Sequence, residues 1–143
     1  MISLADDSRT AFENEYRKRT GVRPQHWKIP ERFKRAVIEA AAGRASAPVP
    51  IDLCGLSDFQ TKVLKTLQEV PRGNVRTYAW LAREAGRPGA ARAVGNTMAR
   101  NPVPILIPCH RVVPSSGGTG NYGLGKSRKR ELLSLEGVAV DQL

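Results

Sequence analysis

Residues 101–113, NPVPILIPCHRVV, restrict this chain more than any other stretch. Prolines at 102, 104 and 108 have a fixed φ and no amide to donate, so neither a helix nor an inner strand can run through them. The spacing predicts a rigid, extended segment that delivers Cys109 and His110 to one defined place. A thiol attacks only as thiolate, and an adjacent base lowers its effective pKa. Neighbours on an extended strand point to opposite faces, so His110 is expected to reach the sulfur through a water or a bend. It also needs a carboxylate to orient it, and Glu136 is the candidate. On this segment alone, a buried inert thiol remains the competing reading of Cys109.

A chain of 143 residues suits one compact domain, or one domain with a small appendage. Its 23 basic and 13 acidic side chains leave a net charge of +10, which favours a polyanionic partner over a merely solvated surface. Residues 57–143 hold 13 of the basic and 6 of the acidic groups. No lysine-rich amphipathic helix or long apolar run points to a membrane partner. The opening MISLADDSRT has neither the basic start nor the apolar core of a signal peptide, so a cytoplasmic, nucleoid-associated setting is the expectation. Two cysteines, Cys54 and Cys109, and two histidines, His26 and His110, share no close zinc-ligand spacing. Neither a structural metal nor a disulfide is expected.

Along the chain, a helix is predicted over residues 8–19, ended by Gly21 and Pro24, with Trp27 and Ile29 as anchors onto a neighbouring surface. A second covers 31–42, with Phe33, Val37 and Ala41 on one face and Gly43 as its stop. Residues 45–50 form a linker, and an extended piece or short strand follows at 49–53. From Ser57 the signals sharpen. Ser57 and Gln60 make a capping box, and Phe59, Val63, Leu64 and Leu67 share a face. Thr77 caps a short helix over 78–85, ended by Gly86. Pro88 is placed at the first position of a third helix that runs to about residue 100, where Pro102 stops it. A last helix covers about 127–136, with Leu132, Leu133 and Leu135 inward and Gly137 after it.

Helix, short helix, turn, helix is the helix-turn-helix pattern, although an ordinary three-helix core has the same spacing. The third helix is rich in small residues (Ala90, Ala91, Ala93, Gly95) around a single Arg92. Reading bases in the major groove calls for several long polar side chains, whereas small ones let a backbone approach the minor groove closely. Arg92 could then enter the base stack where a nucleotide has left. Residues 114–125, PSSGGTGNYGLG, make a loop or wing with many bare amides. Gly120–Ser127 also spells a phosphate loop, and GTGNYG spells G-x-G-x-x-G. Neither follows an apolar strand, so nucleotide binding is set aside. The fold class is mostly α with short β pieces: a winged helix-turn-helix-like catalytic domain over 57–143, with a small helical N-terminal extension over 1–56.

At these residues the chain resembles the O6-alkylguanine-DNA alkyltransferases, the methylated-DNA–protein-cysteine methyltransferases. The match runs through Phe59-Gln60, Gly73, Tyr78, the 90–95 stretch AARAVG, Asn101-Pro102, the 107–112 stretch IPCHRV, Gly120-Asn121-Tyr122, Leu132-Leu133 and Glu136-Gly137. The resemblance implies a protein that binds duplex DNA through its minor groove, flips out an O6-alkylguanine and moves the alkyl group irreversibly to its own cysteine. It implies no cofactor, and a monomer is expected. Carried over, Cys109 is the acceptor, His110 acts with a water as base, and Glu136 orients it. Arg92 is the intercalating finger. Tyr78 rotates the nucleotide and donates to the flipped guanine, and Asn101 joins the recognition helix to the active-site segment. The carbonyls of Cys109 and Val112 accept from the guanine amine, and the Tyr122–Gly123 turn lids the pocket. Ala90, Ala91 and Ser115 lie on the DNA side. The chain departs from the family at Gly123, in the lead Leu56-Ser57-Asp58, and above all in its short, mostly helical N-terminal part. The rival that shares most of these features is a lesion-binding protein that flips the base without transfer, but such proteins replace the cysteine.

Overall fold

Three helices with the strongest local signals form the centre of the protein. A computed structural model describes residues 9–25 and 28–143. Helix α3 (Asp58–Gln68) starts where the capping box predicts: the Ser57 hydroxyl accepts from Gln60 N, and the Gln60 side chain accepts from Ser57 N. Helix α4 (Tyr78–Glu84) is capped by Thr77, whose hydroxyl accepts from Trp80 N. Helix α5 (Ala91–Ala99) begins three residues later than expected. Pro88 is not its first residue, because Gly89 sits at φ 86°, a left-handed conformation through which a right-handed helix cannot pass. Residues 87–90 are instead a turn closed by Ala90 N donating to the Arg87 carbonyl.

Helices α3, α4 and α5 pack on one another around Leu64, Leu67, Leu81 and Val94, all without exposed surface. Ile107 and Val112 from the proline-rich segment complete this core. The sheet is two residues wide. Strand β1 (Arg76–Thr77) pairs in parallel with β2 (Val112–Val113), Arg76 opposite Val112 and Thr77 opposite Val113. Mostly helical architecture with minimal strand is the class expected. The piece at 49–53 is extended but joins no strand.

The proline-fenced segment is not the simple extended strand predicted. Residues 104–107 form a tight turn, with Ile107 N donating to the Val103 carbonyl, and Cys109–Arg111 make one turn of 3-10 helix before β2. Prolines forbid an α-helix here but not a short turn whose amides come from the residues between them.

Helix α6 (Lys126–Leu135) buries Lys129, Leu132 and Leu133. Leu135, expected inward, is 44% exposed, because it lies off the stripe that 129, 132, 133 and 136 share. It meets Gly43 instead, at the end of α2 (Glu31–Ala41). Helix α1 (Arg9–Thr20) docks through Arg19, whose guanidinium donates to the Cys54 carbonyl. Ala36 is the buried residue of α2, with Phe33 and Val37 half-buried. Ile29 is 67% exposed, so it is no anchor. The predicted anchor Trp27, Ser8 at the start of the first helix and His26 lie outside the described residues. Among the described residues no helix is long and apolar enough to cross a membrane.

Because Leu64 has no exposed surface, Leu64→Ala should cost about 2–5 kcal/mol, measured as a shift in urea midpoint at unchanged slope.

Candidate active site

The 3-10 turn places Cys109 and His110 side by side in the interior, Cys109 at 7% and His110 at 1% exposure. The end of α6 brings Glu136 to them: His110 Nε2 lies 3.1 Å from Glu136 Oε1. Since a carboxylate only accepts, Nε2 must be the protonated nitrogen and Nδ1 the one with a free lone pair. Nδ1 is buried and makes no hydrogen bond among the described residues. The imidazole is thus oriented with its basic nitrogen unclaimed.

Asn101 holds the approach to the thiol. Its amide donates to the Ile107 carbonyl at 2.9 Å, and its side-chain oxygen accepts from Val103 N at 3.0 Å. These bonds bracket Ile105, which sits at φ 75° and is the one non-glycine residue with positive φ among those described. A β-branched residue in that region stores on the order of 1–3 kcal/mol of strain, which the two Asn101 bonds help to hold.

Burial pushes the Cys109 thiol up, and the Asn101 amide, the backbone, the Lys129 charge and the Tyr122 hydroxyl only partly offset it. An adjacent imidazole therefore does not produce a resting thiolate, contrary to the expectation from sequence; the proton has to be taken during the reaction. Burial raises Tyr78 as well, with the charge of Cys109 acting in the same direction, and Tyr122 is raised by the same two causes. Both phenols stay protonated near neutral pH and can donate. The Tyr122 ring meets His110 edge-on at 6.5 Å, and its buried hydroxyl faces Cys109. Gly123 is exposed, and a Cβ there would meet nothing within 4 Å, so glycine is not required at this turn.

Two side chains at this site escaped the sequence reading. Lys129 is fully buried and its Nζ donates to the Val112 carbonyl at 2.5 Å. Burial lowers it to about 8, the charge of Cys109 opposing. Its signal was its spacing: 129, 132, 133 and 136 follow i, i+3, i+4, i+7, so a lysine stood on the apolar stripe. Arg111 grips Glu136 with two prongs, Nε to Oε2 at 2.8 Å and Nη2 to Oε1 at 2.6 Å. Its place directly after the Cys-His pair was the only hint. Burial alone would raise the Glu136 carboxyl, but hydrogen bonds and charge from His110 and Arg111 outweigh it and bring it to about 2.

A groove of about 480 Å³ is lined by Tyr78, Ala91, Arg92, Gly95, Ser115, Gly120 and neighbours. Four predicted DNA-side residues, Tyr78, Ala91, Arg92 and Ser115, thus share one concave face, and Arg92 is exposed there. The fifth, Ala90, is half-buried and packs against the core. Gly120 is needed at the groove wall: it sits at φ 72°, and a Cβ would come within 2.8 Å of the Pro114 ring. Tyr78 lines the groove as the first residue of α4, directly after the strand that pairs with Val112–Val113.

Known proteins resemble this chain. The profile of the family described as "6-O-methylguanine DNA methyltransferase, DNA binding domain" matches residues 58–138. A methylated-DNA–protein-cysteine methyltransferase of Mycobacterium leprae is 40% identical over 118 residues, covering 82% of this chain and 71% of that protein. The protein of the same description from Mycobacterium bovis is 50% identical over 88 residues, covering 62% of this chain and 53% of its own length. The chain thus spans about half the length of some curated relatives. The crystal structure of Mycobacterium tuberculosis OGT in complex with DNA superposes with a TM-score of 0.69 at 42% identity, covering 74% of this chain and 66% of that one.

Glu136 makes the site acid-sensitive. Its folded pKa of about 2 lies below the ordinary 4.5, so its contribution to stability is full above about pH 4.5 and is lost as pH falls toward 2. The span corresponds to roughly 3 kcal/mol. Urea midpoints of the parent protein and Glu136→Gln should therefore converge as pH drops from about 5 to about 2; a gap that stays constant would contradict this.

Proposed function

The chain belongs to the 6-O-methylguanine DNA methyltransferase family, and from that premise we propose that it repairs duplex DNA by moving the alkyl group of an O6-alkylguanine onto its own Cys109. What supports this is a buried thiol beside an imidazole that Glu136 orients and whose Nδ1 is unclaimed, in a chain that also presents Arg92 and Tyr78 on one groove.

The protein approaches the minor groove with the small-residue face of α5. Phosphate contacts from its basic surface supply most of the sequence-independent affinity. The damaged nucleotide turns out of the stack at a cost of a few kcal/mol, less for an alkylated and weakened pair. Arg92 fills the gap, and Tyr78 assists the rotation. The pocket then holds the purine between the Tyr122–Gly123 turn and the carbonyls of Cys109 and Val112. Lys129 keeps the Val112 carbonyl in place by donating to it.

Transfer is a displacement at the alkyl carbon. The Sγ–C bond forms as the C–O6 bond breaks, and the electron pair of the broken bond stays with guanine. The thiol proton passes to His110 Nδ1, through a water, while Glu136 supports the imidazolium across Nε2. The departing guanine takes up a proton at its ring nitrogen, balanced by the one that the His110 imidazolium gives back to the bridging water, while the Tyr78 hydroxyl donates a hydrogen bond to the leaving purine. The thioether product is stable, so each molecule acts once. No cofactor takes part. Asn101 ties α5 to the segment bearing the thiol. Residues 57–143 form the catalytic unit, with 1–56 as a helical extension. We expect a monomer in the cytoplasm, associated with the nucleoid. The rival without transfer is disfavoured because Cys109 stands at the centre of the site.

Incubation with a duplex containing O6-methylguanine should add one methyl group to the Cys109 peptide by mass spectrometry, and none in Cys109→Ala. Lesion binding with no mass gain would leave the rival standing. Arg92→Ala should slow transfer on duplex DNA while leaving the salt dependence of binding almost unchanged.

A further inference from the structure

Arg111 spends every edge of its guanidinium on protein. Nε and Nη2 clasp the two oxygens of Glu136, at 2.8 and 2.6 Å, and Nη1 donates to the Val70 carbonyl at 2.7 Å. One of those carboxylate oxygens, Oε1, is the atom that faces His110 Nε2. The arginine thus grips the group that orients the base, and is itself oriented by a carbonyl just beyond the end of α3.

We propose that Arg111 is a positioning residue of the alkyl transfer: its fork keeps Glu136 ionised and fixed in plane, so that His110 holds its proton at Nε2 and keeps Nδ1 free as the base. This rests on the alkyl-transfer reading of the site. The chemistry requires some such device. A glutamate buried at 6% exposure with a neutral imidazole as its only partner would tend to take up a proton, since burial disfavours its charge. Protonated, it could donate to the imidazole and reverse the tautomer, placing the ring proton on Nδ1 where the thiol proton must arrive. A guanidinium does not lose its proton in proteins, so it holds the carboxylate charged at any working pH. Its planar, two-pronged geometry also fixes the carboxylate rotation, which a point charge cannot do.

The other charges nearby are committed elsewhere. Arg72, beyond the end of α3, donates to the Leu135 carbonyl rather than to the carboxylate. Lys129 on α6 is turned to the Val112 carbonyl and interacts with Cys109. From the 3-10 turn, His110 and Arg111 are the groups that face Glu136. A purely structural role, holding α6 to the turn, would account for the distances equally well, and it makes a different prediction.

The test uses the whole chain and a free O6-alkylguanine base as substrate, which removes DNA binding from the rate. S-alkylation is followed by mass spectrometry across pH for the parent protein, Arg111→Lys and Arg111→Met, with nitrogen NMR shifts of the His110 ring recorded in parallel. Arg111→Met should slow transfer roughly 10- to 100-fold, as loss of an orienting partner typically does, and its acid limb should move up by about one pH unit or more. Arg111→Lys should recover part of the rate. The His110 proton should sit on Nε2 in the parent and spread to Nδ1 in the methionine variant. A folded methionine variant that is slower by the same factor at every pH, with an unmoved limb and unchanged ring shifts, would overturn the proposal. So would a lysine variant as slow as methionine. Should the methionine variant not fold, the limb and ring shifts of the lysine variant decide in the same way. A parent protein that never gains an alkyl group, yet whose His110 tautomer responds to Arg111, would defeat the transfer reading and leave the orienting role intact.

Discussion

The two-residue parallel ladder between Arg76–Thr77 and Val112–Val113 is the constraint from which the rest of the site follows. It joins the entrance of α4 to the exit of the Cys-His turn, residues more than thirty positions apart in the chain. Because Thr77 caps α4 and Tyr78 is its first residue, pairing Thr77 with Val113 carries Tyr78 into the field of the Cys109 sulfur. A register slip of one residue would turn these side chains to the wrong face. The groove that Tyr78 lines and the turn that bears Cys109 are therefore coupled through four residues of strand.

Behind the thiol, the electrostatics are arranged around a cost. A buried sulfur resists ionisation, and the site does not cancel that resistance at rest. It supplies a base whose tautomer is set by Glu136 and whose charge, once formed, has a carboxylate waiting for it. Lys129, buried and lowered to about 8, adds a donor to the Val112 carbonyl.

The N-terminal helices touch this machinery from behind. Arg19 of α1 reaches the Cys54 carbonyl, just ahead of the α3 cap, and Gly43 after α2 abuts Leu135 near the end of α6. A wide apolar groove lies between α1, α2 and the segment around Val103 and Leu106. Both the proline-rich turn and the carboxylate-bearing end of α6 are thus backed by helices, although the chain spans only about half the length of some relatives.

Local signals determined a good deal. Ser57 with Gln60 and Thr77 before Tyr78 specify two helix starts by hydrogen bonds within three residues, and both were legible without coordinates. The inward-facing Leu132 and Leu133 were legible too, whereas Glu136 was named as the partner of His110 from its place at the end of the last helix and from the family resemblance. Gly89 was misread because its left-handed φ is a choice of the folded turn, and glycine is compatible with either hand. Leu135 was misread because a third leucine, two residues after Leu133, looks apolar whichever side it faces. The β1–β2 pairing, the two-pronged hold of Arg111 and the burial of Lys129 were decided by tertiary structure alone. Each depends on which distant backbone carbonyl or carboxylate comes within about 3 Å, and short-range periodicity carries no information about contacts separated by 17 to 41 residues.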